Sequence, residues 1–119
     1  MSDRDRLRGL LREFTAIAGV SGHEDAMASA FVRSLADAAA ESRIDGLANS
    51  IVRLRPGPQA ASGKRIALAA HQDTVGLMVK RHIGPGMVGV IRVGGFNLKA
   101  APGAAVRVGD RPGLIGVGS

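Results

Sequence analysis

An α/β fold is expected from three features of this 119-residue chain. Apolar residues recur at helical spacing through most of the first 40 positions. A short apolar run, Ile66-Ala67-Leu68-Ala69-Ala70, then leads directly into His71-Gln72-Asp73-Thr74. Beyond residue 75 the chain alternates in strand-like fashion and holds most of its 17 glycines.

In chain order, Asp3 to Ala18 reads as a helix, because Leu7, Leu10, Leu11, Phe14, Ile17 and Ala18 fall on one stripe. Arg4, Arg8 and Arg12 lie largely on the other faces, and Asp3 and Asp5 suit the positive end of the helix dipole. Gly19 is expected to end this helix. Ser21-Gly22-His23-Glu24 has the spacing of a capping box. A second helix is expected to follow to about Ala40, burying Met27, Ala30, Phe31, Ser34, Leu35 and Ala38. His23 falls in its first turn, exposed, and is not proposed as a ligand.

Two strands come next, Ser42 to Asp45 and Ser50 to Arg55, joined by the tight connection Gly46-Leu47-Ala48-Asn49. Pro56-Gly57-Pro58 and Ala60-Ala61-Ser62-Gly63 read as a surface loop. Ile66 to Ala70 is apolar on both faces, as a central strand covered from both sides would be. Leu77 to Ile83 and Met87 to Val93 read as a hairpin about Gly84-Pro85-Gly86. A further strand is expected over Val106 to Val108, and no helix is suggested after residue 76. His82 reads as a surface residue of its strand.

Composition excludes several classes. With no cysteine there is neither a disulfide frame nor a thiolate metal site. No apolar stretch reaches the length needed to span a bilayer, and the charged start Met1-Ser2-Asp3-Arg4-Asp5-Arg6 lacks the pattern of a signal peptide. A soluble, cytoplasmic protein without a membrane partner is the expectation. The formal net charge of +6 raises nucleic acid as a partner. The arginines are dispersed, however, and Phe14, Phe31 and Phe96 all sit in apolar patterns. No stacking platform for single strands is visible, and nucleic acid is not the expected partner.

The chemistry concentrates at residues 71–73. Groups just beyond the carboxyl end of a strand are where open α/β sheets place ligands and catalytic residues. In an extended segment residues i and i+2 share a face, so His71 and Asp73 can enter one pocket together. Imidazole is a common metal ligand and a neighbouring carboxylate can orient it. A histidine after an apolar run is more often a satisfied structural residue than a ligand, so spacing alone favours the structural role while leaving the metal role open.

Several short motifs, in order, resemble the M42 family of metallo-aminopeptidases, the glutamyl and deblocking type. They are Gly19-Val20-Ser21-Gly22-His23-Glu24, Asp45-Gly46-Leu47-Ala48-Asn49 with Ala48 at a family glycine, Ala70-His71-Gln72-Asp73, Leu77-Met78-Val79-Lys80, Val93-Gly94-Gly95-Phe96, and Gly113-Leu114-Ile115-Gly116. The resemblance implies that residues 1–76 are the N-terminal part of an α/β/α zinc-peptidase-like catalytic domain. Residues 77–119 would begin an inserted β-domain concerned with oligomer assembly. It further implies His71 as a metal ligand, Asp73 as the active-site residue that orients it, and two divalent ions, zinc or cobalt, in the complete enzyme. Peptides would be the substrates and a homo-oligomer the assembly.

Thr74 stands where this family usually has Glu. That departure keeps open an M20-type metallopeptidase, although Gly76 and the immediate hairpin favour M42. The family's remaining ligands and its Glu base would lie beyond the equivalent of Ser119. The chain is therefore expected to be a fragment without peptidase activity of its own, or a non-catalytic assembly or binding element.

Overall fold

A computed structural model of the chain describes residues 2–57 and 65–117. Among the described residues it is a mixed α/β structure with two α-helices and three two-stranded antiparallel sheets. Chain contacts divide it into two compact units, Met1–Thr74 and Val75–Ser119.

The first unit opens with helix α1, Asp3–Ala16. Ser2 caps it through a reciprocal box. The Asp5 amide donates to Ser2 Oγ at 3.3 Å, and the Asp5 carboxylate accepts from the Ser2 hydroxyl at 2.6 Å and from the Ser2 amide at 3.3 Å. Two of the orphan amides at the helix start are thereby satisfied locally. The helix stops two residues short of the expected end. Ile17 turns extended at ψ 128°, so the stop is not a left-handed glycine cap. Leu7 and Leu11 of the apolar stripe are exposed, and α1 buries no residue.

Helix α2, Asp25–Ser34, supplies three of the five buried hydrophobic residues among the described ones: Met27, Ala28 and Ala30. It is shorter than expected. Ala39 and Ala40, helical by propensity, instead begin strand β1, Ala39–Ile44, which pairs with β2, Ser50–Leu54. Ladder bonds satisfy these backbones, and the Arg55 amide extends the pairing to the Ala38 carbonyl. Tertiary pairing thus outweighs the small helix preference of alanine. Arg53 and Glu41, partners across the ladder, form an exposed ion pair at 3.1 Å.

The β1–β2 connection is organised by Asp45. Its Oδ1 accepts from the amides of Leu47 and Asn49, both at 2.9 Å, and its Oδ2 from Asn49 Nδ2 at 3.0 Å. These bonds, led by the one from the Asn49 side chain, hold the Asp45 carboxyl below its ordinary pKa. Ala48 takes φ 61°, the one positive φ outside glycine among the described residues. The surface loop expected about residues 56–63 falls largely on residues 58–64, outside the described ones.

One expectation is overturned. Ile66 to Ala70 is not a strand: it is irregular and exposed, with Ile66 at 89% and Leu68 at 96%. A strand exists only where a neighbour completes its hydrogen bonds. Among the described residues the sole pairing near this run is an isolated parallel bridge between Val20 and Thr74.

In the second unit, β3, Gly76–Gly84, and β4, Met87–Val93, form the expected hairpin. Pro85 and Gly86 hold the centre of its turn, and Gly86 at φ 70° provides the left-handed position that follows proline in a type II turn. A single 3₁₀ turn, Leu98–Ala100, appears where no helix was expected, capped by Asn97, whose side chain accepts from the Lys99 amide. Strands β5, Ala105–Val108, and β6, Arg111–Leu114, close the unit as a second hairpin. His82 is exposed on β3, as expected.

Candidate metal centre

The segment from His71 to Thr74 is held from three directions within the first unit. The Thr74 amide donates to the Gly19 carbonyl at 2.7 Å, and its hydroxyl donates to the same oxygen at 3.2 Å. The Gln72 side chain turns to one side of the segment, toward the Asp45 turn and β2. Its Nε2 donates to the Ala48 carbonyl at 2.5 Å, and its Oε1 faces the Ser50 hydroxyl at 3.0 Å. That hydroxyl also lies 3.3 Å from the Ala28 carbonyl, which brings α2 and the Asp45 turn to the same place.

His71 and Asp73 share the other face. His71 Nδ1 lies 3.1 Å from Asp73 Oδ1 and 3.0 Å from the Asp73 carbonyl. Both neighbours are acceptors, so Nδ1 carries the hydrogen and donates. In the neutral ring the lone pair then resides on Nε2, the arrangement in which a carboxylate–histidine pair presents a metal ligand. The imidazole is 86% exposed and the Asp73 side chain 40%.

Asp73 has a second partner. Ser21 Oγ donates to its Oδ2 at 2.5 Å, the short length of a charge-assisted hydroxyl–carboxylate bond. This bond is the main reason the Asp73 carboxyl sits below its ordinary pKa, with the His71 contact adding to it and partial desolvation opposing.

Ser21 therefore does not cap α2 as its spacing suggested. The helix starts after Glu24 with no side-chain cap, and the Glu24 carboxylate accepts from the Gly22 amide at 2.8 Å. Sequence reasoning missed Ser21 and Gln72 as parts of the site. The signal for Gln72 was its place between two residues of one face, which points it back into the fold. Ser21 carried no local signal, since its partner is 52 residues away.

His71 and Asp73 line an open concavity with Glu24, Asn49, Ser50 and Gln72. Among the described residues no group of three or more His, Asp or Glu side chains gathers to hold a metal. The donor set thus fits one oriented imidazole ligand, short of the three protein ligands of a catalytic zinc.

The fold is mixed α/β, and comparison with known proteins gives the family. The model of the M42 glutamyl aminopeptidase family matches residues 49–119, more than half of the chain. The chain belongs to that family, which decides between the two families that Thr74 left open. A protein of Acetivibrio thermocellus named "Putative aminopeptidase" is 32% identical over 107 residues, covering 90% of this chain and 30% of that protein. A lysyl aminopeptidase of Pyrococcus furiosus is 31% identical over 113 residues, covering 91% of this chain and 31% of that protein. The chain thus spans about a third of the length of these curated relatives. No solved structure gives a match. Among the described residues no helix is long and apolar enough to cross a membrane.

Proposed function

We propose that this chain contributes one metal ligand, His71, and its orienting carboxylate, Asp73, to a metal-dependent aminopeptidase that removes N-terminal residues from peptides. The observation that carries this reading is the bond from His71 Nδ1 to Asp73, which leaves Nε2 as the open donor. Family membership and relatives named as aminopeptidases support the same chemistry.

A divalent ion, zinc or cobalt, supplies Lewis acidity toward a peptide carbonyl and an activated water at neutral pH. This chain's residues do the holding. Asp73 fixes the tautomer and direction of His71, Gln72 fastens the segment to the Asp45 turn, and Thr74 fastens it to Gly19. The first unit is read as part of an α/β/α catalytic domain. The second is read as the start of an inserted β-domain. Exposed Val79, Ile83, Met87 and Ile91 on its hairpin suit a role in homo-oligomer assembly. The compartment is read as cytoplasmic.

With one imidazole in place and, among the described residues, no carboxylate positioned as base, the 119-residue chain alone is expected to lack peptidase activity. The test has two parts. Zinc titration followed by NMR is expected to perturb His71 in the purified chain, with no such site in His71→Ala. Aminoacyl-anilide hydrolysis by the chain is expected to be absent. Zinc binding indifferent to His71 overturns the ligand assignment, and chelator-sensitive hydrolysis by this chain overturns the view that its donor set is insufficient.

A further inference from the structure

We propose that Ser21 is a positioning residue for His71: its hydroxyl clamps the Asp73 carboxylate so that the imidazole is kept as the Nδ1–H tautomer, with Nε2 open to a divalent cation. The functional meaning of this inference rests on the reading of His71 as a metal ligand. The tautomer itself is a property of the chain without metal.

The geometry divides the work of one carboxylate between two donors. Oδ2 accepts from Ser21 at 2.5 Å and Oδ1 faces His71 Nδ1 at 3.1 Å. A carboxylate with one of these partners can rotate about its terminal torsion, which is broad and only weakly restrained. With both oxygens engaged, rotation breaks a bond at either end.

The backbone brings the two residues together before the side chains meet. Val20 and Thr74 form the parallel bridge, and Ser21 follows Val20 while Asp73 precedes Thr74. The two bonds from Thr74 to the Gly19 carbonyl brace the same junction. Ser21 is also released from helix capping, because α2 begins at Asp25 without a side-chain cap. Its hydroxyl donates to Asp73 instead. Partners behind a metal-bound histidine fix its tautomer and orientation, and losing one typically weakens metal binding 10–100-fold.

The experiment is ¹⁵N NMR of the His71 ring in the full metal-free chain at a pH where the imidazole is neutral, followed by zinc titration of the same samples. The wild-type ring is expected to be protonated at Nδ1. Ser21→Ala, and Ser21→Gly, which suits the same turn, are expected to raise the share of the Nε2–H tautomer, with the Asp73 carbonyl at 3.0 Å still holding part of the ring as Nδ1–H, and to give about tenfold weaker zinc binding at His71. Ser21→Thr, which keeps the hydroxyl, is expected to restore both. A wild-type ring protonated at Nε2, or a tautomer unchanged in both Ser21→Ala and Ser21→Gly, overturns the proposal. Zinc binding that ignores His71→Ala overturns the ligand reading instead, and the tautomer measurement still judges the role of Ser21.

Discussion

The Gln72 side chain donates to the carbonyl of Ala48 at 2.5 Å, and Ala48 is the described non-glycine residue whose backbone is left-handed, at φ 61°. The segment that carries His71 is thus fastened to the most strained point of the β1–β2 turn. The turn's own bonds, the Ala48 amide to the Asp45 carbonyl and the Asp45 amide to the Asn49 carbonyl, both at 3.1 Å, hold that strain in place.

Replacing Ala48 with glycine removes the clash of Cβ with the backbone at positive φ. Relief of about 1–2 kcal/mol is partly offset by the freer unfolded chain, leaving Ala48→Gly more stable by about 0.5–1 kcal/mol. Urea unfolding followed by circular dichroism should show a higher midpoint with an unchanged slope.

Loss of the Gln72 amide has the opposite sign. Gln72→Leu leaves the carbonyl of buried Ala48 without its side-chain donor, and a cost of about 1–2 kcal/mol is expected. Amide exchange in residues 71–74 should accelerate more than exchange in the β3–β4 hairpin, which lies in the other unit.

Acid should loosen the Asp45 turn. The folded Asp45 carboxyl titrates below its unfolded value of about 3.9, so its contribution is fully present above that pH. It is lost as pH falls through the lower, folded value. Protection of the Leu47 and Asn49 amides should therefore persist at pH 5 and decline below about pH 4. In Asp45→Ala this acid-dependent step should be missing.

In the second unit Gly94 is the sensitive glycine. It sits at φ 71°, and a Cβ there would meet Val75 Cγ1 at 3.1 Å. Gly94→Ala is expected to destabilise the β3–β4 hairpin by about 1–2 kcal/mol, read as faster exchange of its ladder amides. Gly95→Ala, with open space around it, is the control.

Much of this was legible from local pattern. Pro85-Gly86 between alternating runs announced β3 and β4, because turn dihedrals and side-chain alternation are encoded within a few residues. Asp45 to Asn49 announced its turn for the same reason, and the i, i+2 spacing placed His71 and Asp73 on one face. What depends on distant partners was not legible. The spacing Ser21-x-x-Glu24 looked like a cap, yet the box formed at Ser2 and Asp5, and Ser21 found Asp73. Ala39 and Ala40 looked helical until β2 paired with them. Ile66 to Ala70 looked like a strand, but apolarity supplies no hydrogen-bonding neighbour. Ala48 was visible as a departure from a glycine motif, and only the dihedral revealed its cost.

The alternation along His71-Gln72-Asp73-Thr74 sets what mutation can do there. His71 and Asp73 bond to each other, while Gln72 bonds to Ala48 and Thr74 to Gly19. Swapping His71 or Asp73 changes reactivity while the bonds of Gln72 and Thr74 hold. Inserting or deleting one residue within the segment shifts this pairing, so that the bonds to Ala48, Gly19 and Ser21 cannot all be kept. The segment is therefore expected to accept new letters far more readily than a new length.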